Sequence, residues 1–321
     1  MRTQQSFDEK LARLRSVENA AISAEVLQIL REALGGSQAV LAGVAAEIAG
    51  LRRIADMEPD IVAAFGRFMD HTDKGCQAKI AIAEALSRLE CNADDVFLRG
   101  VRHVQMEPSF GKPVDTADNL RAECAMALAR LQHPQSAFEL TNLLVDPQIN
   151  PRRAAIKSLA YLGGVEGELL LRLKSLVGDE EAEIMGECFN GLISMAPDKS
   201  LGFVAQFLDS KDMSVAEQAA LALGQSHEAE AFEILRERWE ANIHPEFRRM
   251  LLLPISLLRR DEAFSFLLDV VETGGAKLAA GAMTSLTLYA DDESRRKIAD
   301  IVRKRRDPLV SQAFEREFGA I

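Results

Sequence analysis

One pattern of apolar and polar positions recurs along the chain. The segments KIAIAEALSRL (79–89), RAECAMALARL (121–131), RRAAIKSLAYL (152–162), MGECFNGLISM (185–195) and AEQAALALGQS (216–226) align without a gap. Their common anchors are Leu86, Leu128, Leu159, Leu192 and Leu223. Four places earlier stands a small or apolar residue: Ile82, Cys124, Ala155, Cys188 or Ala219. Immediately before the anchor stands a small one: Ala85, Ala127, Ser158, Gly191 or Ala222. Looser copies are drawn on Leu257 and Leu286, and an early one on Ile48. This spacing of three and four predicts amphipathic helices.

A second apolar segment lies between successive copies, as in SAFELTNLLVD, GELLLRLKSLVGD and SLGFVAQFLDS. It has helix period too, with Phe138, Leu140, Leu143 and Leu144 in one copy and Phe203, Val204, Phe207 and Leu208 in another. Short turns such as HPQ, DPQINP, APDK and NIHP divide the helices. One helix pair cannot bury both its apolar faces, so neighbouring pairs must stack. The expectation is an all-α α-solenoid of about eight or nine helix pairs. FDEKLARLRSV, with Phe7, Leu11, Leu14 and Val17 on one face, is expected to form a capping helix within 1–20. Residues 21–321 then form a single array with one inserted loop at 104–117, VQMEPSFGKPVDTA. Such a loop is either a binding element or a disordered insertion. Pro254 should kink the helix that carries it.

The second helices, RAECAMALARL and RRAAIKSLAYLGG above all, resemble HEAT-type repeats, in particular the short bacterial kind shared with phycobilin-lyase-like repeat proteins. The resemblance spans roughly residues 22–319 and implies a right-handed alpha-alpha superhelix whose second helices line a concave surface. It specifies architecture far more than function.

Composition narrows the function classes. Lys and Arg number 38 against 49 Asp and Glu, so the net charge of −11 disfavours nucleic acid and anionic membrane surfaces. The N-terminal stretch has no apolar core of a signal peptide, and no apolar run is long enough to span a membrane. A cytoplasmic, reduced location is expected. Four scattered cysteines form no zinc spacing, and Cys124 and Cys188 are expected to be buried hydrophobes. The five histidines form no i,i+4 pair, and His227-Glu228 lacks the partner an HExxH site needs. DEEAE (179–183) and DDE (291–293) stand at helix starts and are expected to be caps, and Gly163-Gly164 a C-cap. ESRRKIADIVRKRRDP carries seven basic residues, and is either a solvated cap or a patch for an acidic partner. No catalytic group, metal site or cofactor is expected.

Helix periodicity turns positions −5, −2 and +2 from each anchor away from the core. On that face, which the resemblance makes the concave one, lie Glu123, Met126, Arg130, Lys157, Tyr161, Glu187, Asn190, Leu221, Leu252, Ile255 and Leu288. These are the expected partner contacts, polar in the middle and apolar toward the C-terminus. The expected function is a non-catalytic scaffold or adaptor holding a protein or peptide in the concave groove. The alternative is an accessory or lyase-type subunit resembling the phycobilin-lyase repeat proteins, with a bilin in that groove. The oligomeric state is left open by the sequence.

Overall fold

A computed structural model describes residues 2–71, 73–289 and 291–320, with side chains from residue 7 onward. Its described residues form 19 α-helices and one two-stranded hairpin. Two compact units divide the chain, residues 1–162 and 163–321.

The first unit opens with α1 (Arg2–Ser16), which packs on α2 and α3 through Leu14, with Val17 buried just beyond it. First helices α2 (Ala24–Gly35), α4 (Glu58–Asp70), α6 (Asp94–Val101) and α8 (Ser136–Leu143) alternate with second helices α3 (Ala39–Leu51), α5 (Gln77–Arg88), α7 (Asp118–Arg130) and α9 (Ile149–Leu162). Each second helix packs on its own first helix and on the next second helix. The second unit repeats this scheme. Its first helices are α10 (Gly164–Val177), α12 (Pro197–Ala205), α14 (Ala229–Ala241), α16 (Asp261–Thr273) and α18 (Asp292–Arg305). Its second helices are α11 (Ala182–Met195), α13 (Met213–Gln225), α15 (Pro245–Leu257), α17 (Ala276–Leu286) and α19 (Pro308–Phe318). Four pairs and five pairs match the expected number.

Burial fixes the repeat register. At every anchor the residues at −4, −3, −1 and 0 are buried, for example Cys124, Ala125, Ala127 and Leu128. Two anchors are not where the sequence pattern placed them. In α3 the buried set is Ala45, Ala46, Ile48 and Ala49, so the anchor is Ala49 and not Ile48. In α15 it is Leu251, Leu252, Pro254 and Ile255, so the anchor is Ile255 and not Leu257. Leu192, Leu223, Ile255 and Leu286 then follow one another at 31, 32 and 31 residues. The helix runs on past Pro254 to Leu257.

Backbone geometry supports the same register. Four places after the anchor the chain turns left-handed at Arg53 (φ 51°), Glu90 (φ 57°), Gln132 (φ 49°), His227 (φ 59°) and Arg259 (φ 52°). In the first unit this closes Schellman motifs on the anchor carbonyls. Ile54 N donates to Ala49 O at 2.9 Å, Cys91 N to Leu86 O at 3.3 Å and His133 N to Leu128 O at 3.1 Å. Second helices approach closely where the +1 position of one meets the −1 position of the next. A Cβ on Gly50 would stand 2.7 Å from Ala85 Cα, and one on Gly224 would stand 2.8 Å from Pro254 Cα. Only glycine fits there.

The capping expectation is met at Asp291; in DEEAE the helix N-cap is Glu181, whose side chain makes no capping bond, and Gly163 is the N-cap of α10. Asp291 accepts from Glu293 N and Ser294 N at 3.0 and 2.9 Å, and Asp179 from Lys174 Nζ at 2.7 Å and Glu181 N at 2.9 Å. Gly163 and Gly164 take φ +67° and +73° after α9. The basic α18 spends its arginines locally: Arg305 donates to the carbonyls of Val271, Glu272 and Gly274 at the end of α16. Segment 104–117 contains a short hairpin, Met106–Glu107 paired with Val114–Asp115. Phe138 is 74% exposed, a departure from the inward position its period suggested.

Candidate functional site

A buried polar cluster roots the hairpin and sets the geometry around it. Asp73, Asp115 and Asp146 each stand six residues before a base: Lys79, Arg121 and Arg152. The Arg121 guanidinium, 3% exposed, bonds Asp115 at 2.8 Å, Asp146 at 2.8 and 3.0 Å and the His103 carbonyl at 2.9 Å. Burial alone would raise the Asp115 carboxyl, but the Ala117 and Gln105 amides and Arg121 together hold it below the ordinary range. Glu107 accepts from Gly75 N, Gln105 Nε2 and Thr116 Oγ1 at 2.6, 2.6 and 2.9 Å, which lowers its carboxyl. Lys79 Nζ, 1% exposed, reaches Gln105 Oε1 at 2.5 Å. The six-residue Asp-to-base spacing is plain in the sequence once it is sought, and apolar patterning alone passed over it.

In the first unit the outward positions of the second helices meet in one cleft of about 660 Å³. With the corrected register its rim is a single row, position +2 of four successive repeats: Leu51, Arg88, Arg130 and Tyr161. Arg53 and Glu90, at +4, close one side, and Phe97, Cys91 and Leu131 supply an apolar floor. Tyr161 is 65% exposed. Arg130 Nη1 donates to Ser87 Oγ at 2.6 Å and stands 3.9 Å from Glu123. Arg88 pairs with Glu84 at 3.0 Å, and Arg53 with Glu90 at 3.9 Å. These pairs are exposed, so each is worth little and exchanges readily for another acceptor. The Schellman motifs already occupy the last carbonyls of α3, α5 and α7, which leaves the guanidiniums for other acceptors.

The structure thus brings Arg130 and Tyr161 together with Arg53, Arg88 and Leu51. Leu51 escaped the sequence pattern because the Ile48 anchor turned it inward. Glu123 and Met126 are half-buried beside this row, and Lys157 is exposed. In the second unit Glu187 is half-buried, Asn190 exposed, and Leu221 and Leu288 partly covered. Leu252 and Ile255 do not line any outward face. They are 2% and 0% exposed, because the helix is rotated by the two-residue shift of its anchor. Leu253, 47% exposed, takes the −2 position in their place, and Leu257 the +2 position.

All four cysteines are buried and free. Burial, and then contact with Glu58, pushes the Cys91 thiol up to about 12, and burial pushes Cys76 up to about 11 and Cys188 up to about 12. No group of three metal-ligating side chains and no helix long and apolar enough to cross a membrane occurs among the described residues.

Stacked helix pairs with a repeated anchor define the chain as an α-helical repeat protein of the solenoid class. No protein-family model matches the chain, and no curated protein does. It is similar to the X-ray structure of E. coli YibA, at 14% identity over 92% of this chain and 96% of that one, with a TM-score of 0.49. It is also similar to the complex of CpcE and CpcF of phycocyanin lyase from Nostoc sp. PCC7120, at 16% identity over 89% and 96% with a TM-score of 0.35. A mutant of Kap121p matches at 11% identity over 94% of this chain and 39% of that one, with a TM-score of 0.48. None of these similarities says what this chain does.

Proposed function

We propose that this protein is a non-catalytic scaffold that holds an acidic segment of a protein partner against the second-helix face of its first unit. The observation that carries the reading is the cleft in which Arg53, Arg88 and Arg130 stand around an apolar floor beside Tyr161. Each of the three guanidiniums stands beside one exposed or half-exposed carboxylate of its own chain, Glu90, Glu84 or Glu123, which an acidic partner segment would displace. Arginine forks bind carboxylates bidentately, and an exposed tyrosine adds contact area at low entropic cost. Glu123, Met126 and Lys157 extend the contact in the first unit. Glu187, Asn190, Leu221 and Leu288, with Leu253, offer a second face on the other unit. The protonated, buried thiols suit a scaffold better than nucleophilic chemistry.

Affinity purification from the source cells tests the proposal, comparing the natural chain with R88E/R130E. Both arginines are exposed, so the variant keeps its fold. Loss of the partner from the variant is expected. Capture of the same proteins at the same yield would remove the cleft from the reading.

A further inference from the structure

Helix α10 wears its aliphatic side chains on the outside. Val165, Leu169, Leu173, Leu176 and Val177 are 67%, 60%, 58%, 67% and 75% exposed. Its buried positions are Gly167, Leu171, Lys174 and Ser175, so one leucine points inward where five aliphatics point out. Lys174 is held inside by Asp179 at 2.7 Å. The outward set is therefore no slip of register. A scattered exposed leucine needs no explanation, whereas a contiguous row of this size marks an interaction surface.

The order of the row points to its occupant. Val165, Leu169, Leu173 and Val177 follow at four-residue intervals, forming one i±4 ridge, and they read the same in both directions about residue 171. Ridges of this kind interlock with their own kind in the commonest helix–helix packing. We propose that α10 pairs with α10 of a second copy of this chain, antiparallel across a two-fold axis. Val165 then meets the other copy's Val177, and Leu169 meets its Leu173. Residue i contacting j and j contacting i is the requirement of a closed two-fold interface. The ridge is about 18 Å long at the helical rise. It offers on the order of 500 Å² per copy, so the pair buries roughly 1,000 Å², the lower end for a specific interface. The flank is preorganised: Arg172 pairs with Glu168 at 3.0 Å, donates to the Lys199 carbonyl at 2.8 Å and lies over the Phe203 ring at 4.6 Å. Arg172 and Glu168 therefore have little side-chain freedom left to lose on association.

Charge gives the association a signature. Two copies of net charge −11 repel, and the ridge itself is uncharged, so added salt screens the repulsion and tightens the dimer. Acidic-segment binding in the arginine cleft has the opposite salt dependence. Sedimentation equilibrium of the full chain, from about 1 to 100 µM at low and high salt, reads this directly. A species of twice 35.3 kDa is expected, more populated at high salt. L169E/L173E should weaken it by about 100-fold or more, as central contacts do, with helicity unchanged because both side chains are exposed. Oxidised mixtures supply a second readout. L169C mixed with L173C should cross-link more than either variant alone, against a low background from the four buried native thiols. A chain that stays monomeric throughout the range, or a dimer that L169E/L173E leaves intact, overturns the proposal.

Discussion

Replacing Arg121 by Met tests how the hairpin, α7 and the turn before α9 are held together. The guanidinium satisfies Asp115, Asp146 and the His103 carbonyl from a position 3% exposed, and both carboxylates are themselves about a tenth exposed or less. Methionine fills comparable volume, so the loss is electrostatic and not a cavity. Two buried carboxylates lose their counter-charge, and breaking such an arrangement costs about 3–5 kcal/mol. For a unit of this size each kcal/mol moves the midpoint by about 2–4 °C, so R121M should melt about 6–20 °C lower. The pH dependence has a defined sign. Asp115 is held below its ordinary range, so its contribution is fully present above the unfolded value of about 4 and is lost as pH falls through the lower folded value. The difference between natural chain and R121M should therefore be largest at neutral pH and shrink below about pH 4. Differential scanning calorimetry between pH 3 and 7 reads both quantities. A loss under about 1 kcal/mol at pH 7, or one independent of pH, would refute the cluster as a determinant of the first unit.

Three further outcomes follow from the repeat geometry. Gly224→Ala places a Cβ against the Pro254 backbone, which cannot yield, and should destabilise the second unit by about 1–2 kcal/mol in urea titration despite alanine's better helix propensity. Gln132→Gly relieves a left-handed residue at φ 49° and should stabilise the first unit by up to about 1 kcal/mol in the same assay. The native thiols should react slowly with a disulfide reagent at pH 8 and all four should titrate in denaturant, because burial holds Cys76 at about 11 and Cys91 and Cys188 at about 12.

The helices were legible because their signal is short-range. An apolar residue at 0, −4 and −3 with a small one at −1 is dictated by packing of each second helix on its neighbours, and the burial at Leu86, Leu128, Leu159, Leu192 and Leu223 repeats it. Register failed where the signal is degenerate. In MLLLPISLL any of several leucines fits the anchor, and only the packing of Gly224 on Pro254 and the turn at Arg259 select Ile255. In α3 the anchor is an alanine, which no apolar pattern distinguishes from Ile48. The candidate site was legible in part. Arg130 and Tyr161 follow from anchors that were placed correctly, whereas Arg53 joins them through a helix-terminating turn with no apolar signature. The ridge of α10 looks in sequence like any core-facing helix, since periodicity gives a face and not the direction in which it points.

Fluorescence anisotropy of a labelled glutamate-rich peptide, titrated with the full chain, tests the central claim most directly. Binding should weaken about tenfold or more as salt rises, should weaken about as much in R88E/R130E at low salt, and should exceed that of a lysine-rich peptide of equal length. Equal binding of the two peptides, or an affinity that R88E/R130E leaves unchanged, would contradict the account.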